Sequence, residues 1–221
     1  MAMTEHVPER HERREFEREL GAIEAKVIEL FAMVAEDLPQ ATDALLSGNS
    51  EVIRTLVERD RVIDALYPRI EELADREILL QQPVASDLRL LISVLRVVPE
   101  LERSHDLIVD IAHRGNFTLS QELSSRSRGL IEHMGNLAAE MWSQALNCWC
   151  ERDRAAAVTL RERDDEMSEL YASLMAELAA GGMTLPVTME LTLVARFYER
   201  LADHAFNIAR RVVYLAGHAP G

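Results

Sequence analysis

A chain of 221 residues with 24 Lys and Arg against 38 Asp and Glu carries a net charge of −14. Its surface as a whole therefore repels nucleic acid and anionic lipid and suits a cationic partner or a bound metal. Aromatics are only 5% while Leu, Ala, Glu and Arg dominate, a composition of long helices; with no run of 18 apolar residues and no apolar leader in the charged stretch from Met1 to Glu19, a soluble cytosolic protein is expected, without direct membrane insertion.

In chain order, the apolar positions predict six main helices. The first, over about residues 9–46, carries Phe16, Leu20, Ile23, Val27, Leu30, Val34 and Leu38 at three-to-four spacing, with Pro39 expected to kink or interrupt it. Ser47-Gly48-Asn49-Ser50 reads as a turn, with Ser50 as N-cap of a second helix. That helix has the stripe Ile53, Leu56, Ile63, Leu66, Ile70 and Leu73 and a bend expected at Pro68. Gln82-Pro83-Val84-Ala85-Ser86-Asp87 breaks the pattern and restarts it, with Pro83 near the first turn of a third helix. Leu91, Val94, Val98, Leu101, Ile108 and Ala112 form its stripe, and Gly115-Asn116 ends it.

A fourth helix is expected over about residues 120–148, and Glu151-Arg152-Asp153 is expected to open a fifth that fades at Ala180-Gly181-Gly182. Cys148 and Cys150 are spaced too closely for a disulfide within a helix and read as two semi-buried thiols. Leu185-Pro186 opens the sixth helix. Its apolar positions Val187, Leu191, Val194, Tyr198, Leu201, Ala205, Ile208, Val212 and Leu215 alternate steps of four and three, as a coiled-coil-like seam requires. Gly217 should end it, with the last residues disordered.

The chain is internally duplicated, and repeats of this kind decide the architecture. Glu102-Arg103-Ser104-His105-Asp106 matches Glu199-Arg200-Leu201-Ala202-Asp203 as Glu-Arg-x-x-Asp, and Ile111-Ala112-x-Arg114 continues without a gap onto Ile208-Ala209-x-Arg211. Glu58-Arg59-Asp60 with Leu66-Tyr67 likewise matches Glu162-Arg163-Asp164 with Leu170-Tyr171. The two landmarks are 44 residues apart in the first half and 37 in the second. The difference is about two helical turns, which can be shed from the two arms of a hairpin while both apolar faces stay in phase. An all-α fold of two sequence-related three-helix repeats follows, over residues 9–115 and 120–217.

On a helical wheel Glu199 and Asp203 fall opposite the seam of the sixth helix, with Thr192, Arg196, Asn207 and Arg210. Glu102 and Asp106 lie off the stripe of the third helix, and Asp60 and Asp64 on the flank of the second. Spacing of i, i+4 sets carboxylates side by side, able to share a hard cation such as Fe, Mn, Mg or Ca. The plainer reading is a solvated face laced with arginine, Arg196 to Glu199 for example. Recurrence at matching positions of both halves favours the cation.

Gln82-Pro83-Val84-Ala85-Ser86-Asp87-Leu88-Arg89, and Arg196 to Ala205 followed by Asn207-Ile208-Ala209, resemble the two most specific signatures of the PhoU phosphate-uptake regulators, especially their actinobacterial branch. The resemblance covers nearly the whole chain and implies two tandem three-helix bundles. It also implies surface clusters of iron or another metal held through Glu/Asp-x-x-x-Asp motifs. Carried over by position, the expected ligands are Asp60, Asp64, Glu102 and Asp106 in the first half and Asp164, Glu199 and Asp203 in the second. Ser168 stands where the first half has Asp64, so Glu169 or Asp165 would have to compensate there. His105 falls on the apolar stripe and is expected to be hydrogen-bonded and half-buried rather than a ligand.

The function implied by the resemblance is non-enzymatic: a cytosolic adaptor between an ABC phosphate importer and a phosphate-sensing histidine kinase, acting as a homodimer, that restrains import and starvation signalling. Arg196 and Arg210, projecting from the seam with no nucleophile or phosphate loop nearby, are the expected partner contacts. A carboxylate-bridged di-iron enzyme is the competing class. It needs paired Glu-x-x-His motifs, of which only Glu102-x-x-His105 is present, Ala202 standing at the matching position. A plain helical scaffold without metal or phosphate role is the third reading.

Overall fold

The computed structural model describes residues 7–115 and 117–216, which form seven helices and no strand. They are α1 (Val7–Ser47), α2 (Ser50–Gln81), α3 (Ala85–His113), the short α4 (Phe117–Glu122), α5 (Ser125–Glu151), α6 (Ala156–Ala179) and α7 (Leu185–Leu215). Helices α1, α2 and α3 pack on one another, as do α5, α6 and α7, and the two sets meet where α1 crosses α5 and α3 crosses α7. The fold is all-α, with two tandem three-helix units. Asn116, Gly217 and the segment after it lie outside the described residues.

The predicted stripes are the core. Every seam residue of α7 from Val187 to Leu215 is buried. On α1 the seam runs Leu20, Ile23, Val27, Leu30, Val34, Asp37, Ala41 and Ala44, all buried, with an acid in the sixth place. Phe31 of α1 packs against Trp142 and Trp149 of α5 at ring-centroid distances of 6.2 and 5.9 Å. The Trp142 indole N–H donates to the Leu201 carbonyl of α7 at 3.1 Å, so α5 is tied to α7 as well as to α1.

Several local expectations change. The second helix is capped by Asn49, not Ser50: the Asn49 Oδ1 accepts from the backbone N–H groups of Glu51 and Val52. Pro39 and Pro68 lie inside α1 and α2 without ending them. Burial of Leu38, Ala41 and Ala44 around the first, and of Ile63 and Ile70 around the second, outweighs the lost hydrogen bond. The fourth segment is two helices, because the Ser124 Oγ accepts from the Ser127 N–H and caps a new start at Ser125. Glu151-Arg152-Asp153 closes α5 instead of opening α6. Arg152 adopts the left-handed conformation at φ 58°, donates to the Trp149 carbonyl at 2.7 Å and stacks over the Trp149 ring.

Both cysteines are free thiols, Cys148 buried and Cys150 exposed. Burial pushes both thiols up, with nearby acids adding to it, which disfavours the thiolate form.

Candidate functional site

Two acidic faces form on the outside of the molecule, one per repeat. In the first, α2 supplies Asp60 and Asp64 and the neighbouring α3 supplies Glu102 and Asp106. In the second, α6 supplies Asp164 and α7 supplies Glu199 and Asp203. The helices are amphipathic, so each pair sits just off the buried stripe. Asp60, Glu102, Asp164 and Glu199 are half-buried, while Asp64, Asp106 and Asp203 are exposed.

Each face is electrostatically crowded. The Glu102 carboxyl is pushed up by burial, then by Asp106, Asp64 and Asp60, against relief from Arg103. Asp106 is pushed up by burial and then by Asp60 and Asp64. In the second repeat Asp164 is raised by burial, then by Asp203, Asp165 and Glu199, with Arg161 opposing. The fold thus brings together all four expected acids of the first half and all three of the second, and Asp165 adds its charge where Ser168 contributes none. Among the described residues, no three His, Cys, Asp or Glu side chains stand close enough to form a ready-made ion cage. The hard oxygen donors and their mutual repulsion suit a cation. Arg196 pairs with Glu199 on the rim, and Arg210 lies over the Phe206 ring, both arginines being exposed.

Behind the first face lies a buried ionic chain that the sequence reading did not assemble. His105 is fully buried, not half-buried. Its Nδ1 is 2.6 Å from Asp60 Oδ1 and its Nε2 2.9 Å from Asp37 Oδ2. Asp37, only 1% exposed, accepts in turn from Arg59 at 2.6 Å, and Arg59 also reaches Glu36. Burial pulls the imidazole pKa down, but the hydrogen bonds and charges of the two carboxylates outweigh it and the net shift is upward. A carboxylate oxygen at each ring nitrogen suits the doubly protonated ring, in which both N–H groups donate. Neither nitrogen is free to ligate a metal. The chain ends on Asp60, so His105 orients the one acid shared between the core and the outer face.

A signal for this chain was present in the spacing. Asp37 falls on the α1 seam and His105 on the α3 seam, at the steps Val98, Leu101, His105, Ile108 and Ala112. An acid and an imidazole on facing seams have to meet or remain unpaired. In the second repeat the position of His105 is the buried Ala202, beside the Leu201 carbonyl taken by Trp142.

The PhoU domain model matches residues 27–115 and 131–212, one match per repeat. A Zymomonas mobilis protein called a phosphate-specific transport system accessory protein PhoU homolog is 31% identical over 210 residues, 93% of this chain and 88% of its own length. A Synechocystis protein of the same name is 33% identical over 208 residues, 92% of each chain. The crystal structure of PhoU from Pseudomonas aeruginosa superposes with a TM-score of 0.84 at 28% identity, covering 90% of this chain and 98% of that one. With both repeats matched, the relatives aligned nearly end to end and the fold superposed over 90% of the chain, the chain belongs to the PhoU family.

Proposed function

We propose that this protein is a non-enzymatic regulator of phosphate uptake and of phosphate-starvation signalling. It works in the cytoplasm as an adaptor between an ABC phosphate importer and a phosphate-sensing histidine kinase. The observation that carries this reading is the end-to-end match to relatives named as accessory proteins of phosphate-specific transport, extending over both repeats. The engagement of both His105 nitrogens supports it against a di-iron enzyme, whose Glu-x-x-His motif requires a free imidazole.

The acidic faces are read as sites for hard cations such as Fe, Mn or Mg, with Asp60, Asp64, Glu102 and Asp106 in one and Asp164, Glu199 and Asp203 in the other. Such a cation would neutralise the crowded carboxylates there. The exposed Arg196 and Arg210 are the contacts offered to a protein partner, and the active form is a homodimer. Deleting the gene and assaying alkaline phosphatase and phosphate uptake in phosphate-replete cells tests the regulatory role. Derepressed phosphatase restored by the wild-type gene is expected. Unchanged phosphatase and unchanged uptake would remove the reading.

A further inference from the structure

The duplication sets two arginines in equivalent places. Where Glu102 aligns on Glu199, Arg114 of α3 aligns on Arg211 of α7. Arg114 is neutralised: its guanidinium lies 3.2 Å from Glu190 and 3.6 Å from Asp110 and stacks 4.7 Å over the Phe197 ring. The positions aligned with Glu190, Asp110 and Phe197 are Ser93, Asn207 and Glu100. Two acids have therefore become neutral side chains. The new acid, Glu100, is already held by Arg103 at 3.2 Å, and its Oε2 is turned inward, 3.5 Å from His204 Nε2 and without a hydrogen bond. The position aligned with Leu193 is Arg96, which adds a second cation.

Arg96, Glu100 and Arg103 of α3 and Asn207 and Arg211 of α7 line a cleft of about 410 Å³ at the crossing of the two helices. Among the described residues, no carboxylate lies within ion-pair distance of Arg96 or Arg211, and Arg211 only stacks on Tyr214 of its own helix at 5.2 Å. Burial lowers the Arg211 pKa, and the charge of Arg96 lowers it further. An acidic protein of net charge −14 thus holds two unneutralised guanidinium groups facing each other between its repeats.

We infer that this cleft binds a small phosphate-class oxyanion between Arg96 and Arg211. Guanidinium groups offer paired N–H donors that match phosphate oxygens two at a time, and two from facing helices can bracket one tetrahedral anion. The Asn207 amide supplies a further donor. Glu100 does not occupy the place of the anion, because its oxygens are directed to Arg103 and His204. The net charge of −14 on the chain as a whole disfavours nucleic acid and anionic lipid as carriers of the phosphate, which favours free orthophosphate or a short polyphosphate. At the other end of the same α3–α7 contact, the aligned Arg114 is already neutralised by Glu190 and Asp110.

Titration calorimetry of the purified full chain with orthophosphate, pyrophosphate and acetate tests this without importer, kinase or metal, so it stands apart from the regulatory reading. Saturable binding of one orthophosphate or pyrophosphate per chain is expected, with acetate inert, and the tighter of the two identifies the ligand. Arg96→Leu and Arg211→Gln should each weaken binding about tenfold or more, whereas Arg114→Gln should leave it unchanged. In phosphate-free buffer Arg96→Leu should melt no lower than wild type, since it removes a repelling charge and installs the residue of the aligned position. Absence of phosphate binding by wild type, equal binding by the Arg96→Leu and Arg211→Gln variants, or equal weakening by Arg114→Gln would each overturn the site.

Discussion

The Tyr198 hydroxyl of α7 donates to Thr42 Oγ1 of α1 at 2.8 Å, joining the two repeats through a buried polar contact. The direction follows from Thr42, whose own proton goes to the Leu38 carbonyl at 3.1 Å. Burial holds the Tyr198 hydroxyl firmly protonated, its pKa raised far above the usual phenol range despite the contact with Thr42. Gly135 of α5 completes the junction, because a Cβ there would lie 2.4 Å from Thr42 Oγ1.

Gly135→Ala should therefore destabilise the protein by about 1–3 kcal/mol, since the helices around Thr42 cannot separate without opening the core. Tyr198→Phe, which removes only the hydroxyl, should cost about 1 kcal/mol. Urea midpoints of the two variants check both figures. A Gly135→Ala variant as stable as wild type would contradict the close approach.

Val212 is fully buried in the α7 seam between Ile208 and Leu215. Truncation to Ala should lower stability by about 1–3 kcal/mol through lost transfer energy and the remaining cavity. An unchanged urea midpoint would count against the seam.

His105→Leu leaves Asp37 buried with one of its three side-chain partners removed, Arg59 and Gln40 remaining, and should cost about 3–5 kcal/mol. The pH dependence has a fixed sign. The folded-state pKa of His105 lies above its unfolded value near 6.5, so its contribution is complete below that value and is lost as pH rises through the folded pKa. Thermal melts across neutral to alkaline pH should show the wild type losing stability and His105→Leu losing less. Parallel curves would mean that the ring contributes no titration over that range.

Arg196 and Arg210 are exposed and contribute little to the core, so reversing both to Glu should leave the circular dichroism spectrum and melting temperature nearly unchanged. Association with importer or kinase should weaken, as read by co-purification. Normal association by the folded double variant would release this face from a partner role.

The long elements were legible because amphipathic helices write their buried face at three-to-four spacing, and the α7 seam was read without error. The acidic faces were legible too, since i, i+4 acids on repeated helices have to lie together once the hairpins close. Boundaries were not. Asn49 and Ser50 are both good caps, and only the backbone geometry selects Asn49; the left-handed Arg152 depends on Trp149 beneath it. The ionic chain behind Asp60 was missed because Asp37 was passed over for its apolar neighbour Leu38. Its partner lies on another helix, 68 residues away.

The first acidic face should bind cations more strongly than the second. It gathers Asp60, Asp64, Glu102 and Asp106, while the second has Ser168 in the fourth place and only Asp165 nearby to add charge. Because Glu102, Asp106 and Asp164 have raised folded-state pKa values, the folded chain holds their protons more tightly than the unfolded chain does. Stability of the metal-free fold therefore falls as pH rises from the unfolded values near 4 through the folded ones, and the deficit persists at neutral pH. A cation that neutralises the face removes that deficit, and by mass action stabilises the fold by about 2.7 kcal/mol at a hundredfold excess over its dissociation constant. In chelator, Glu102→Gln with Asp106→Asn should melt above wild type at neutral pH, with the gain shrinking toward acid. With added iron, manganese or magnesium the order should reverse, the wild type gaining more than this variant, while Glu199→Gln with Asp203→Asn loses a smaller part of the response. If metal analysis finds none in the wild type and no cation raises its melting temperature, both faces are solvated surface only.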